Sequence, residues 1–250
     1  MSVNVIAHRV PELEPIAANP AEYRIAGAAL SQWIMKRFPV AVTRNIGVRA
    51  DFYPSAALAA RLFGGICAKV MDPVTGDELV CAGSDCGDDC CTLLPDADSL
   101  ILRKPLDLLA LGERLTASLK EPFVSANVSD AAVIKGVVQI GEESNIPAGV
   151  YIEGNVIIGR KCVISSGCRI AGSTVIGDNC VIGEGAEIAN SVIGDQAEIA
   201  PGCVIRDSVL GSRVVLNEEC KKFSGAVIVD DGHNGVPKVI YSGGIRQNQG

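Results

Sequence analysis

The chain has 250 residues, 48% of them hydrophobic and 20% charged, which is enough apolar material for two modest domains with real cores and too much for a disordered chain. A formal net charge of −7 and a pI near 4.9 exclude sequence-independent binding to nucleic acid, because neutralising phosphates requires a basic surface. Charge or glycine interrupts every apolar stretch and residues 1–20 lack the basic-then-apolar layout of a signal peptide, so no membrane span is predicted, and a cytoplasmic location with ten reduced cysteines is expected.

The first 120 residues read as a small α/β domain. Residues 2–7 form a predicted strand, residues 20–38 an amphipathic helix carrying Ile25, Leu30, Trp33 and Ile34, and residues 40–43 a second strand. Residues 56–63 are helical in pattern and 66–71 strand-like. The Pro73-Val74-Thr75-Gly76-Asp77 turn then leads into a strand at 78–81. Residues 99–102 read as a strand and 105–119 as a helix, with Pro105 in the first turn, where a missing N–H costs nothing.

Between these elements lies Cys81-Ala82-Gly83-Ser84-Asp85-Cys86-Gly87-Asp88-Asp89-Cys90-Cys91, four thiols in a glycine- and aspartate-rich loop. Cys81, Cys86, Cys90 and Cys91 could supply thiolates to zinc or an iron–sulfur cluster. The pattern lacks Cys-x2-Cys pairs, and adjacent cysteines strain a shared ion, so a redox or disulfide role and a loop of partly buried free thiols stand beside the metal reading.

From residue 128 onward a different period takes over. Val128, Ile134, Ile140, Ile146, Ile152, Ile158, Ile164, Ile170, Ile176, Ile182 and Ile188 recur every six residues. Ile193, Ile199, Ile205, Leu210 and Leu216 continue the ladder after two steps shortened to five. Neither the 3.6-residue period of a helix nor the two-residue period of a strand gives this spacing, whereas a parallel β-helix with one strand and turn per hexad does. Three hexads per coil imply about five coils. The column Ile140, Ile158, Ile176, Ile193, Leu210 is followed each time by glycine, which predicts a tight corner needing a residue without Cβ that tolerates positive φ. Cys162, Cys168, Cys180, Cys203 and Cys220 fall four residues after ladder positions, an inward slot, and are read as small core hydrophobes. Lys221 and Lys222 are read as a solvated cap, and residues 223–250 as a C-terminal extension following a β-helix at 121–222.

Runs such as Ile176-Gly177-Asp178-Asn179-Cys180-Val181-Ile182-Gly183 resemble the hexapeptide-repeat family over residues 124–220. That resemblance implies a left-handed parallel β-helix, a fold shared by many acyltransferases and by the C-terminal parts of sugar nucleotidyltransferases. The short steps Asn190-Ser191-Val192-Ile193-Gly194 and Asp207-Ser208-Val209-Leu210-Gly211 look most like the nucleotidyltransferase versions. The run Leu102-Arg103-Lys104-Pro105-Leu106-Asp107-Leu108-Leu109, followed by Val137-Val138-Gln139-Ile140-Gly141 and Val150-Tyr151-Ile152-Glu153-Gly154, resembles the domain junction of two-domain sugar-1-phosphate nucleotidyltransferases, including the bifunctional pyrophosphorylase/acetyltransferase type. Leu106 stands where that family usually has tryptophan. Its glycine-rich phosphate loop has no counterpart, since Ile25-Ala26-Gly27-Ala28-Ala29 holds one glycine, so nucleotidyl transfer by this chain alone is not expected.

The resemblance therefore implies a mainly β protein that acts as a CoA-dependent acyltransferase, with acetyl-CoA or another acyl-CoA as co-substrate. A sugar or sugar nucleotide would be the acceptor, and the sites would lie between subunits of a homotrimer. Family members commonly use a coil histidine as general base. Here the two histidines are His8 and His233, and His233, in Asp230-Asp231-Gly232-His233-Asn234-Gly235, is the nearer to the coils in sequence. A polar turn is its plain reading and a base oriented by Asp230 or Asp231 its functional one. Glu153, Glu184, Glu187 and Asp195 are carboxylate alternatives. A second class of function, a non-catalytic relative serving assembly or ligand sensing, remains open at this point.

Overall fold

The computed structural model describes residues 3–6, 24–25, 28–36, 46–49, 51–63, 68–82, 91–217, 222–230 and 237–242. They divide into two compact units, one formed by residues 1–23 and 28–104, the other by 24–27 and 105–250.

The first unit holds a five-stranded mixed sheet in the order Val3–Ile6, Ile46–Arg49, Glu78–Ala82, Ala68–Met71, Cys91–Leu93. Ser55 starts the helix Ala56–Phe63 as an N-cap, its Oγ accepting the Leu58 N–H at 2.9 Å while donating to Asp96. Leu58, Ala59 and Leu62 on that helix are buried, as are Phe52, Val70 and Val80. Of the helix expected over 20–38, the described residues are helical at Leu30–Met35, and Arg24–Ile25 and Ala28–Ala29 are extended. Gly27 and the lack of a side-chain cap at Ala29 weaken the helix upstream of Leu30. The residues of the strand expected at 40–43 lie outside the described ones.

Buried charge ties this unit together. Arg49 donates to both oxygens of Asp51, at 2.7 and 2.8 Å, and Arg103 donates to Asp72 at 2.6 Å. Asp72 also accepts from the backbone of Val74 and Thr75 inside the turn read from the sequence. Burial by itself would raise the Asp72 pKa, but the Arg103 and backbone hydrogen bonds outweigh it and hold the carboxyl at about 2.

The second unit is a parallel β-solenoid. One face stacks Asn127–Val128, Asn145–Ile146, Val163–Ile164, Val181–Ile182, Glu198–Ile199 and Val215–Leu216 in six rungs. A second face runs from Val133–Lys135 to Lys222–Ser224, and the third from Phe123–Val124 to Ala226–Asp230. Tyr151–Ile158 and Arg169–Ile176 each pass round a corner and serve two faces. The register matches the ladder rung for rung: Ile134 to Ile152 to Ile170 to Ile188 to Ile205, and Ile140 to Ile158 to Ile176 to Ile193 to Leu210. From Ile140 on, every ladder residue is at most 2% exposed. The stack is one coil longer than the ladder counts. Phe223 and Ile228 extend it after a seven-residue step, which an aliphatic six-residue pattern passes over.

The glycine column serves a purpose other than the expected positive φ. Gly141, Gly159, Gly177, Gly194 and Gly211 are absent from the left-handed residues. For the first four the requirement is space: a Cβ at Gly159 would sit 2.6 Å from the Gly177 carbonyl carbon, and one at Gly177 would sit 2.7 Å from the Asp195 nitrogen, whereas at Gly211 the nearest atom would be 3.6 Å away. The left-handed turn comes two residues later, at Glu143, Lys161, Asn179, Gln196 and Arg213, all with φ between 56° and 61°. At the shortened steps Asn190 and Asp207 take left-handed backbone, and the buried Ser191 and Ser208 hydroxyls accept the N–H groups of Ser208 and Ala226, both at 3.1 Å.

Three outcomes test this description. Ile164→Asp buries an unpaired charge and should cost about 3–5 kcal/mol in urea unfolding; an unchanged melting temperature would overturn the register. Gln196→Gly should stabilise by about 1 kcal/mol, because it relieves left-handed backbone in a side-chain-bearing residue. Because the Asp72 pKa is lowered by folding, its stabilisation is present above about pH 4 and fades as the pH falls towards 2. Asp72→Asn should therefore flatten the acid limb of a stability–pH curve.

Candidate functional site

The residue before each ladder position points out of the solenoid, so three outward columns define the chemistry of the three faces. Gln139, Ile157, Val175, Val192, Val209 and Val227 make one column, and its five aliphatic members are at most 5% exposed. The helix Asp107–Ala117 lies across this face. It buries Leu108, Leu111 and Leu115, and Gly112 sits so close that an added Cβ would be 2.8 Å from the Val192 methyl. A second column, Asn127, Asn145, Val163, Val181, Glu198 and Val215, leaves Val163, Val181 and Val215 exposed.

The third column is the polar one. Val133, Tyr151, Arg169, Glu187, Val204 and Lys222 lie in register, with Lys135, Glu153 and Arg206 two residues further along their strands. Lys135 Nζ is 5.4 Å from the centre of the Tyr151 ring and the Arg169 guanidinium 5.2 Å, so two cations flank one aromatic ring. Tyr151 Oη donates to Glu153 at 3.1 Å, and Arg169 stands 3.9 Å from the same carboxylate. Arg206 pairs with Glu187 at 3.1 Å. Glu153 is thus an exposed carboxylate oriented by a phenol and a guanidinium, able to accept a proton from a bound hydroxyl or amine. Its sequence signal was available: the outward column, read alone, is the one that mixes tyrosine with both signs of charge.

Asp195 behaves differently from the other carboxylates singled out in the sequence. It is nearly buried at a solenoid corner, where its Oδ1 accepts the Asp178 N–H at 2.9 Å. Asp178 repeats the motif one coil earlier, accepting the Arg160 N–H at 2.8 Å. Arg24 then bridges the pair, its Nε to Asp195 and its Nη2 to Asp178. These carboxylates cap backbone and hold an arginine. Glu184 is exposed at another corner, and its carbonyl accepts the Gly202 N–H.

His233 lies outside the described residues, between the strands Ala226–Asp230 and Pro237–Ser242, which pair antiparallel. Cys86 and Cys90 lie outside them too. Cys81 is half-buried in the strand Glu78–Ala82 and Cys91 exposed in Cys91–Leu93, with the strand Ala68–Met71 between them. Among the described residues no three metal-ligating side chains gather into a site. Cys162, Cys168, Cys180 and Cys203 are fully buried free thiols, and the first three donate to glycine carbonyls at 3.0–3.2 Å. Burial pushes the Cys168 thiol up from its ordinary value, and the adjacent Cys162 sulfur together with burial pushes Cys180 up further.

Residues 133–232 match the family model of the GMPPB C-terminal domain. The chain carries a hexapeptide-repeat domain. Its match continues past residue 220 into the strands that add the last coil. No curated protein matches the chain in sequence. Among solved structures, the acetyltransferase domain of PglB from Neisseria gonorrhoeae is similar over 60% of this chain and 70% of its own, at 17% identity and a TM-score of 0.34. PerB from Caulobacter crescentus, in complex with CoA and GDP-perosamine, is similar over 85% of this chain and 93% of its own, at 17% identity and a TM-score of 0.28. Likeness of this degree assigns no activity to the hexapeptide-repeat domain.

A thiol reagent distinguishes the two cysteine populations. Cys91 should react in the native protein within minutes, whereas Cys162, Cys168, Cys180 and Cys203 should react only on unfolding, as peptide-resolved labelling would record.

Proposed function

We propose that this chain transfers an acyl group from coenzyme A to the hydroxyl or amino group of a sugar or sugar nucleotide, at sites along the solenoid sides of a homotrimer. The observation that supports this reading most is the division of labour among the faces. The chain's own helix covers one face, whereas no helix among the described residues covers the other two, and one of those carries Glu153 beside Tyr151 and Arg169. In the hexapeptide-repeat superfamily that the chain resembles, CoA binds along the backbone of stacked coils, which leaves little side-chain signature. The N-terminal unit, by contrast, lacks the glycine-rich loop that would hold nucleotide phosphates.

In the proposed reaction a general base removes the proton of the acceptor as its oxygen or nitrogen attacks the thioester carbonyl, and the CoA thiolate leaves and is protonated. His233 is assigned as that base, and Glu153 is the carboxylate best placed to serve in its absence. Wild type, His233→Ala and Glu153→Gln should be assayed with acetyl-CoA and amino sugars. Loss of His233 should lower kcat by about 100-fold or more. Full activity in His233→Ala, with loss in Glu153→Gln, would move the role of base to the polar face. Pyrophosphorylase activity in the wild type would overturn the reaction class. A mass by light scattering equal to one chain, 26.0 kDa, would overturn the homotrimer.

A further inference from the structure

The solenoid is sealed unevenly at its two ends. At the C-terminal end the strand Pro237–Ser242 pairs antiparallel with Ala226–Asp230 and closes the edge of that face. At the other end Phe123–Val124, Asn127–Val128 and Val133–Lys135 are each the terminal strand of their stack among the described residues. The first coil turns alternate backbone groups towards the second: the N–H groups of Ser125, Asn127, Ser129 and Val133 all donate to carbonyls of the next coil. Strand alternation therefore points the N–H and C=O groups of Val124, Val128 and Ile134 at the open end. The core opens there as well. Val124 is 45% exposed and Val128 and Ile134 are half-buried, although every later ladder residue is buried, and Phe123 and Val133 on the outer side are 61% and 42% exposed.

We propose that this first coil is a docking surface for the first coil of a second copy, the two solenoids meeting head to head about a two-fold axis. Three open edges arranged around a triangle cannot be filled by one extended peptide or by a flat sheet; they fit another solenoid end, and this chain supplies one. The C-terminal end is unsuited to the role because its hairpin closes one of the three edges, so the contact is isologous and closes at two copies instead of growing into a filament. A two-fold axis across a triangular prism maps one face onto itself and exchanges the other two. With the Asn127 face on the axis, Phe123 and Val124 of one copy meet Val133 of the other and all three strand pairs run antiparallel. Asn127 already bonds Asn145 at 3.1 Å, and its counterpart across the axis would extend that amide row. Charge permits the contact. Residues 120–135 carry Lys120, Glu121, Asp130 and Lys135, which sum to zero in a chain of net charge −7.

The contact is separate from side-to-side assembly, so copy number tells the two apart. Light scattering should give an even number of protomers, two if the sides do not associate and six if they form trimers, and Phe123→Asp/Val133→Asp should halve that number. An odd number in the wild type, or an even number unchanged in the variant, overturns the head-to-head contact and leaves the trimer proposal to stand or fall by itself. Should the double variant misfold, Asn127→Cys provides the second reading. Mild oxidation should yield a 127–127 disulfide identified by peptide mapping, and its absence would equally overturn the proposal.

Discussion

The solenoid depends on how closely consecutive coils approach at the corner formed by Gly141, Gly159, Gly177 and Gly194. A Cβ at any of these four positions would overlap the backbone of the coil that follows, at 2.6–2.7 Å, so the corner closes only because hydrogen occupies the place. Strand spacing on all three faces is set at roughly 4.8 Å, and the corner must reach the same separation without a side chain to bridge it. Once it does, ladder residues stack directly over one another and the thiols beneath them reach the glycine carbonyls. Asp178 and Asp195 can then cap the backbone of the coil before.

Much of this was legible in the sequence because the period of six has no competing explanation. The ladder specified which residues are inside and in what register, and the structure reproduces each pairing. The role of the glycine column was legible in its existence and misread in its cause. Sequence shows that no Cβ is allowed but cannot show whether φ or a neighbouring backbone forbids it, and here the left-handed conformation falls on Lys161, Asn179 and Gln196 instead. The last coil was missed because the step from Leu216 to Phe223 breaks both the period and the aliphatic rule. Before residue 105 short strands alternate with short helices, and the pattern over residues 20–38 fits a helix well enough to hide the extended Arg24–Ile25.

The candidate site was less legible because function on a solenoid is carried by what points outward. Along each coil the residue before the ladder position decides the character of a face, and the three columns had to be separated before they differed. Once separated, a column of one isoleucine and four valines demands a cover, which the helix Asp107–Ala117 provides through Gly112. The column containing Tyr151, Arg169 and Glu187 remains as the polar surface. Arg24 had no sequence signal at all. Its partners are more than 150 positions away, and only the three-dimensional stack brings Asp178 and Asp195 to one corner.

That distant arginine means the solenoid unit is not a contiguous piece of the polypeptide. The chain visits it at residues 24–27, leaves, and returns at 105, so a fragment cut at the apparent junction would discard one of its own stabilising groups. Of the two nearly buried carboxylates one strand apart, Asp178 would then keep Arg160, and Asp195 would lose the arginine that pairs with it. During synthesis the arginine emerges long before its partners exist, and it must stay available until about 170 further residues have been made. The two units are therefore interleaved along the chain, with residues 24–27 belonging to the solenoid unit.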